Sequence, residues 1–273
     1  VFLYTPIAII ALFSFSAGRS ASQFEGFSVK WYGRALDNPF VMDALGNSIF
    51  VAFVSATLAS ILGTLAAVGL QGIRGPSRAV FDAMIYIAVM IPGIVIGIAT
   101  LIALVTVFDV LNPWLAGIWP DDRQPPALSM GMGSLIAAHT MFTLALVVII
   151  VRARLAGLDE SLEEAAADLG ATPARAFRQI TLPLISSALI AGALLSFTLC
   201  LDNAVISTLV SEAGSTTFPV ALLGATKSTI KPFWGVGAVM LFAITMAALA
   251  FVAVVLRRSG ESSSDIAATF AGN

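Results

Sequence analysis

The sequence predicts an all-α membrane protein with six transmembrane helices, and three observations support this. Of the 273 residues, 58% are hydrophobic and 11% are charged, whereas soluble domains carry roughly 25% charged residues. The mean hydropathy is +0.96. Apolar runs long enough to cross a bilayer recur along the chain between short polar segments. Because a backbone in lipid must satisfy its own hydrogen bonds, these runs are expected to be helices.

Six apolar runs are the predicted spans. They cover residues 1–17, 47–70, 79–108, 131–151, 184–210 and 233–256. The first begins without a methionine or a positive leading segment, so we interpret it as the remainder of a span whose start is missing, not as a signal peptide. Proline should break or kink the third span at Ile91-Pro92-Gly93, at mid-depth. We expect one transmembrane permease domain over residues 1–273.

Polar segments set the ends of these runs. The second span is rich in Ala, Ser and Gly, which suits close contact between helices. Asp109 opens an acidic, proline-bearing outer loop at 109–130. Arg152 and Arg154 end the fourth span. A polar connection at 211–232 joins the fifth span to the sixth.

The placement of cationic residues predicts the topology. Eight of them flank one set of span ends, and six lie in the other three connections. The eight are Arg74, Arg78, Arg152, Arg154, Arg175, Arg178, Arg257 and Arg258; the six are Arg19, Lys30, Arg34, Arg123, Lys227 and Lys231. The eight lie close to span ends, where the positive-inside rule counts them. We therefore expect both termini and the segment between spans four and five to be cytoplasmic.

That segment, residues 155–183, is termed the elbow here, and its sequence predicts two short helices joined by a turn. Ser161 and Glu164 have the spacing of a capping box, so a helix can begin there. Gly170 stands where a helix end favours a left-handed residue. Thr172-Pro173 provides an N-cap and a first-turn proline for a second helix.

The first helix of the elbow should carry a narrow apolar stripe. Leu162, Ala165, Ala166 and Leu169 recur at helical spacing, with two small side chains at its centre. Pro183 is expected to break the second helix as the chain re-enters the membrane. The pattern predicts a compact helix–turn–helix that another protein could grip.

The elbow resembles the EAA loop of the membrane subunits of bacterial ABC importers. The pattern is Glu-Ala-Ala, three residues, Gly, nine residues, then Ile-x-Leu-Pro, and the matching residues are Glu164, Ala165, Ala166, Gly170, Ile180, Leu182 and Pro183. The resemblance implies a type I ABC importer (MetI-like) permease fold. It also implies a cytoplasmic loop whose first helix docks in a cleft of an ATPase subunit through these residues. The alternative interpretation is an amphipathic loop that merely connects two spans.

The chain shows no means of generating a driving force. It contains no G-x-x-x-x-G-K-[ST] phosphate loop and no pattern of an ion-coupled carrier. We therefore expect neither an enzyme nor a cofactor on this chain, with ATP and Mg²⁺ on partner ATPase subunits. The resemblance implies an ATPase dimer, a second permease subunit and an extracytoplasmic solute-binding protein as partners, in the bacterial cytoplasmic (inner) membrane and its lipid. No basic cluster indicates nucleic acid, no metal site is expected, and the single Cys200 excludes an intrachain disulfide.

Charged residues inside spans indicate function, because burial of an unpaired charge is costly. Asp202 lies about midway through the fifth predicted span, followed by Asn203. It is either a counter-charge on the path of a cationic solute or an aspartate that fixes helix packing. Asp109 either guards the mouth of the path or is an exposed carboxylate at a helix end. His139 in the fourth span is expected to be a packed, hydrogen-bonded histidine.

Three stretches resemble the polyamine (spermidine/putrescine) branch of ABC permeases. They are SFTLCLDNAVIS at 196–207, GSTTFPV at 214–220 and the ATKSTIKP run that follows. That branch usually carries two adjacent acidic residues in the fifth span, whereas this chain has Asp202 followed by Asn203. The resemblance implies a substrate path formed by Asp202, Asn203 and Asp109.

Three alternatives remain open on the sequence alone. One is a non-transporting assembly subunit, which only an uptake assay excludes. Another is a permease for a different solute, such as ferric iron, thiamine or an oxyanion, although a buried aspartate would repel anions. The third is an intramembrane hydrolase. Ser134 and His139 lie five residues apart, about 140° around a helix, so they do not share a face as a nucleophile and base would.

Overall fold

The computed structural model describes residues 5–18, 24–120, 124–159, 161–227 and 231–258. Within these ranges the regular secondary structure is helical, apart from one isolated β-bridge between Ser16 and Phe27. Within those ranges the helices are α1 (Thr5–Ser14), α2 (Lys30–Leu36), α3 (Pro39–Gln71), α4 (Pro76–Met90), α5 (Gly93–Ile118), α6 (Met132–Leu155), α7 (Ser161–Asp168), α8 (Pro173–Ala176), α9 (Leu182–Leu201), α10 (Ala204–Val210), α11 (Phe218–Ala225) and α12 (Pro232–Arg258). A π-helical segment (Phe177–Thr181) joins α8 to α9. The all-α prediction is confirmed.

Five helical segments are long and apolar enough to cross a membrane, counted over the described residues. They are α3, α5, α6, the continuous helix Pro173–Leu201, and α12 as Pro232–Val254. The first of the six predicted spans is not among them. Its helix, α1, has ten residues and is about 15 Å long, which is shorter than the hydrocarbon core of a bilayer. Residues 1–4 of that predicted span lie outside the described residues.

Proline does break the third predicted span, and the break is complete. α4 ends at Met90, Ile91 is extended (φ −67°, ψ 129°), and α5 begins at Gly93. The residue before a proline is disfavoured in helical geometry, so Ile91 ends α4. The predicted span at 79–108 is therefore wrong: α5 alone spans from Gly93 to Ile118. Asp109, expected at a helix end, lies inside α5, and the predicted outer loop begins ten residues later.

The chain divides into two compact units, each described by itself. The first comprises Val1–Val54, Pro92–His139 and Leu199–Ala247. Its core packs the first half of α3 against α11 and α12, with Phe218 and Trp234 at a ring-centroid distance of 5.9 Å. Asn47 of α3 donates to the carbonyls of Gly214 and Thr216, both at 3.1 Å. The predicted polar connection at 211–232 thus contains a helix, α11, that is tied to α3.

The second unit comprises Ser55–Ile91, Thr140–Thr198 and Ala248–Asn273. Its core packs the second half of α3 against α6 and α9 through small and β-branched residues. Val147 of α6 lies against Gly63 of α3 and Gly192 of α9. This confirms the close helix contact that the Ala-, Ser- and Gly-rich second span predicts, because small residues let helix backbones approach.

Gly63→Ala should destabilise this unit. A Cβ at Gly63 would lie 2.8 Å from Val147 Cγ1 and 3.4 Å from the carbonyl oxygen of Leu144, so α3 and α6 must separate. Overpacking of this kind costs roughly 1–3 kcal/mol. Thermal unfolding of the assembled transporter in nanodiscs, followed by tryptophan fluorescence, measures the effect.

Gly192→Ala is the matched control for this substitution. Its added Cβ would meet Val147 at 3.7 Å, an ordinary contact distance, and alanine is the better helix former. We expect an unchanged or slightly higher melting temperature. Equal melting temperatures for the two variants would contradict the tight packing at Gly63.

Candidate functional site

The elbow helix α7 begins at Ser161, as predicted, but a different residue caps it. Asp159 Oδ1 accepts a hydrogen bond from the backbone N–H of Ser161 at 2.9 Å. The predicted capping role of Ser161 is therefore wrong. Asp159, two residues earlier, accepts the hydrogen bond from the N–H of Ser161 and so caps the helix. The hydrogen bonds from Ser161 lower the pKa of the exposed Asp159 carboxyl, so this cap is fully present above the ordinary aspartate pKa and is lost as pH falls through the lowered value.

The turn between α7 and α8 forms as the sequence predicts. Gly170 has φ +80°, in the left-handed region. The N–H of Ala171 bonds to the carbonyl of Ala166, and that of Gly170 bonds to the carbonyl of Ala167, both at 2.9 Å. This pair of bonds is a Schellman motif, which satisfies two of the last carbonyls of α7. Pro173 then begins α8 after an extended Thr172.

Most of the apolar stripe of α7 faces outward. Ala166 is buried, with 7% of its surface exposed, whereas Leu162 is 42% exposed and Leu169 is 89% exposed. Leu169 has the largest exposed fraction of any large apolar side chain in the described ranges. Ala165 and Glu164 are also exposed. Since the described residues leave Leu162, Ala165 and Leu169 uncovered, this part of the stripe is available to another molecule.

Pro183 does not break the second elbow helix, contrary to the prediction. The helix runs without interruption from Pro173 to Leu201. The π-helical segment Phe177–Thr181 immediately precedes the proline. Its wider turn relieves the clash between the proline ring and the preceding turn of an α-helix. Ile180 and Leu182 are half-buried along this helix, and the second elbow helix is continuous with α9.

Two arginines at the end of α6, where the elbow begins, form hydrogen bonds to neighbouring helices. Arg152 Nη1 donates to Asp82 Oδ1 of α4 at 2.5 Å, and Arg154 Nε donates to the carbonyl of Leu184 at 3.1 Å. A polar-lined cavity of about 320 Å³, bordered by Arg78, Arg152 and Leu162, lies beside them. Asp82 was not singled out from the sequence, although it is an ionisable residue inside a predicted span and the rule applied to Asp202 would have identified it.

The fifth predicted span is not one helix, and Asp202 lies at its break. α9 ends at Leu201 and α10 begins at Ala204. Asn203 caps α10, because its Oδ1 accepts a hydrogen bond from the N–H of Ile206 at 3.0 Å. The expectation of Asp202 midway through a continuous helix is therefore wrong. Asp202 has an exposed side chain, and no salt bridge reaches it from the described residues.

The structure joins Asp202 to Asn203 but not to Asp109. Where α10 packs on α5, it does so at Gly97, with Ile206 and Leu209 nearest. Asp109 lies twelve residues beyond Gly97, about 18 Å along the axis of α5, and its side chain is exposed. Asp202 and Asn203 therefore lie at the α9–α10 break, and Asp109 lies elsewhere on α5. The assignment of all three to a substrate path stays a prediction.

His139 and Ser134 of α6 each bond to α10. Ser134 Oγ donates to the carbonyl of Val210 at 2.8 Å. His139 is fully buried, with Nδ1 at 2.8 Å from the carbonyl oxygen of Leu135 and Nε2 at 3.3 Å from Ser207 Oγ. A packed, hydrogen-bonded histidine agrees with the sequence expectation. Among the described residues Ser134 bonds to Gly131 and Val210, and not to a base such as a hydrolase nucleophile needs.

The structure combines helices long enough to span a membrane, an elbow with an exposed apolar stripe, and a carboxylate at a break in a predicted span. These are features of a transport permease. The chain belongs to the family of binding-protein-dependent transport system inner membrane components, which it matches over residues 59–260. Membership confirms the family assignment and a multi-pass membrane protein.

Relatives and solved structures agree with this assignment. The chain is 38% identical over 234 residues to the putrescine transport system permease protein PotI of Escherichia coli (strain K12), covering 85% of this chain and 78% of that protein. It is 32% identical over 260 residues to the spermidine/putrescine transport system permease protein PotC of Haemophilus influenzae, covering 95% and 94%.

The fold is that of a solved transporter. A crystal structure of the bacterial alginate ABC transporter in complex with an alginate pentasaccharide-bound periplasmic protein matches with a TM-score of 0.72 and 15% identity, over 94% of this chain and 89% of that one. The ABC permease fold expected from the sequence is confirmed.

Asp82→Asn should weaken the contact between α4 and the end of α6, where the elbow begins, and so lower the stability of the protein. It removes the charge of an ion pair whose side chains are 22% and 31% exposed and leaves Arg152 without its carboxylate. Hydrogen bonds to charged groups contribute about 1.5–3 kcal/mol, and partial exposure places this one toward the lower value. The melting temperature of the assembled transporter should fall.

Asp168→Asn serves as the control for charge alone. Asp168 is an exposed carboxylate of α7, and none of the ion pairs found in the described ranges involves it. Its substitution should leave the melting temperature unchanged. An equal effect of the two substitutions would show that the Arg152–Asp82 pair does not hold the elbow.

Proposed function

We propose that this chain is the permease subunit of an ATP-driven importer of di- and polyamines such as putrescine and spermidine. The observation that carries the proposal is the likeness, at 32–38% identity over most of the chain, to permeases named for these solutes. The helix break at Asp202 supplies a chemical reason for the same substrate class. Ferric iron, thiamine and other cations remain alternatives that the same carboxylate would tolerate.

The break favours a cation for two physical reasons. Asp202 offers an exposed carboxylate there, and α9 ends immediately before it, at Leu201. The last carbonyls of a helix carry the negative end of its dipole, so the end of α9 adds to the attraction. Carbonyls and helix C-termini at broken spans coordinate cations in other transporters. An anionic solute would be repelled by the same groups.

Asn203 contributes to the break through its conformation. Its side-chain oxygen is occupied in capping α10, where aspartate is also a preferred capping residue. An aspartate at 203 could therefore form the same cap, and the asparagine keeps the structure of the break with one negative charge fewer. Asp202 is then the carboxylate that meets the solute, and Asn203 is the residue that shapes its position.

The elbow is the proposed coupling site for an ATPase dimer on the cytoplasmic side. Its exposed stripe, ending in Leu169, supplies an apolar contact, and the Schellman turn at Gly170 holds α7 and α8 in one geometry. Because α8 continues into α9, a push on the elbow is transmitted along one helix to the break at Asp202. A second permease subunit and an extracytoplasmic binding protein complete the transporter, with ATP and Mg²⁺ on the ATPase.

Asp202→Asn should abolish putrescine uptake and leave assembly intact. The transporter is reconstituted in proteoliposomes with internal ATP, and accumulation of radiolabelled putrescine is measured with the binding protein outside. Losing the charge removes the attraction to the ammonium group at the break. Co-purification of all subunits reports assembly.

Glu212→Gln is the control for this substitution, because Glu212 is an exposed carboxylate in the loop that follows α10. Its uptake should equal that of the unsubstituted transporter. Normal uptake by Asp202→Asn would contradict the proposed role. Failure of Asp202→Asn to assemble would show that Asp202 fixes helix packing instead.

Leu169→Asp should uncouple the transporter. It places a charge on the stripe proposed to enter the ATPase cleft, where a buried unpaired charge is strongly unfavourable. We expect loss of ATPase co-purification and of uptake, with solute capture by the binding protein unaffected. Leu36→Asp, at a leucine of α2 that is 54% exposed, should retain the ATPase. Retention of the ATPase by Leu169→Asp would exclude this face as the docking surface.

A further inference from the structure

α10 owes its position to its neighbours. It has seven residues, and isolated helices of this length are not stable in themselves. Its capping by Asn203 satisfies one N–H but does not orient the helix. The contacts that α5 and α6 make with α10 must therefore fix its place in the first unit, and with it the geometry of the break.

On one side, α5 meets α10 at very short range. A Cβ at Gly97 would lie 2.7 Å from Leu209 Cδ1 and 3.5 Å from the Cα of Ile206. Only a residue without a side chain permits α10 to lie this close. This contact holds the apolar face of α10 but does not reach Asp202 or Asn203.

On the other side, α6 bonds to α10 at both ends. Ser134 Oγ holds the last carbonyl of α10, at Val210. Near the first turn, Ser207 Oγ lies 3.3 Å from His139 Nε2 and 2.7 Å from the carbonyl oxygen of Asn203. The Ser207 hydroxyl thus lies between the imidazole of α6 and the carbonyl of Asn203, and its one hydrogen can be donated to either of them.

The hydrogen-bond roles at His139 follow from its partners. The carbonyl of Leu135 can only accept, so Nδ1 of His139 donates to it at 2.8 Å. In the neutral ring Nε2 is then an acceptor, and the Ser207 hydroxyl lies where it can donate to Nε2 or to Asn203 O. The hydrogen bond from Nδ1 to Leu135 fixes the orientation of the His139 ring, so that Nε2 points toward Ser207.

We propose that His139, acting through Ser207, is a positioning residue for the cation path. By accepting a hydrogen bond from Ser207 it ties α10 to α6, and the position of α10 in turn sets the direction of the Asp202 carboxylate at the break. This inference rests on the proposed function, in which Asp202 meets the solute. It assigns the buried pair His139 and Ser207 a role in transport in addition to helix packing.

The test separates the two ring nitrogens. His139→Asn keeps an amide near the position of Nδ1 and loses the group that meets Ser207, whereas His139→Gln reaches the position of Nε2. Putrescine uptake per ATP hydrolysed is measured in proteoliposomes of the complete transporter. One such hydrogen bond corresponds to about a five- to tenfold loss for His139→Asn, with substantial rescue by His139→Gln.

A second variant links the effect to Ser207. Ser207→Ala should lower uptake per ATP by a similar factor, and the double variant His139→Asn/Ser207→Ala should be no worse than either single variant, because both break one connection. Multiplying losses in the double variant, or equal losses for His139→Asn and His139→Gln, would overturn the positioning role. Since Ser207→Ala removes only a hydroxyl, it should assemble, and unchanged uptake per ATP in this variant would overturn the positioning role even where His139→Asn assembles poorly.

Failure of the proposed function has a different signature. If the unsubstituted transporter accumulates no putrescine or spermidine, the polyamine proposal fails, and this inference fails with it. If it accumulates putrescine and the His139 and Ser207 variants match it, only the positioning role is excluded.

Discussion

A polypeptide backbone in hydrocarbon has no water to bond with, so each of its N–H and C=O groups needs a partner within the protein. That requirement explains why the described chain is helical. It matters most where a helix ends inside a predicted span, at Asp202 and Asn203. There the side-chain oxygen of Asn203 satisfies the first turn of α10, and Ser134 and Ser207 bond to carbonyls at Val210 and Asn203. The break persists because its polar groups have partners.

The same requirement connects the break to function. A broken span places backbone dipoles and a carboxylate where a continuous helix would present only side chains. The cost of opening the helix is offset by the cap, by the α6 bonds and by the close contact with α5 at Gly97. The carboxylate of Asp202 is consequently supported by buried neighbours that do not themselves touch the solute in the proposed mechanism.

The elbow depends on local hydrogen bonding in a comparable way. Its turn is closed by two backbone bonds at Gly170, its first helix by the Asp159 cap, and its second helix continues through the π-helical segment into α9. With these groups satisfied internally, the apolar stripe can remain exposed without loosening the fold. An elbow with an uncovered apolar face, joined by a continuous helix to α9, is suited to transmit a displacement from a partner.

The sequence by itself determined the features that depend on neighbouring residues: the apolar helices, the proline break at Ile91-Pro92, the left-handed Gly170 and the restart at Pro173. These signals act within one or two helical turns, so they can be read locally. The tertiary structure decided that Pro183 continues a helix, that the fifth span opens at Asp202, that Asp82 pairs with Arg152 and that His139 meets Ser207. Each of these depends on contacts between residues up to seventy positions apart or on a π-helical turn. A local sequence pattern does not reveal such features.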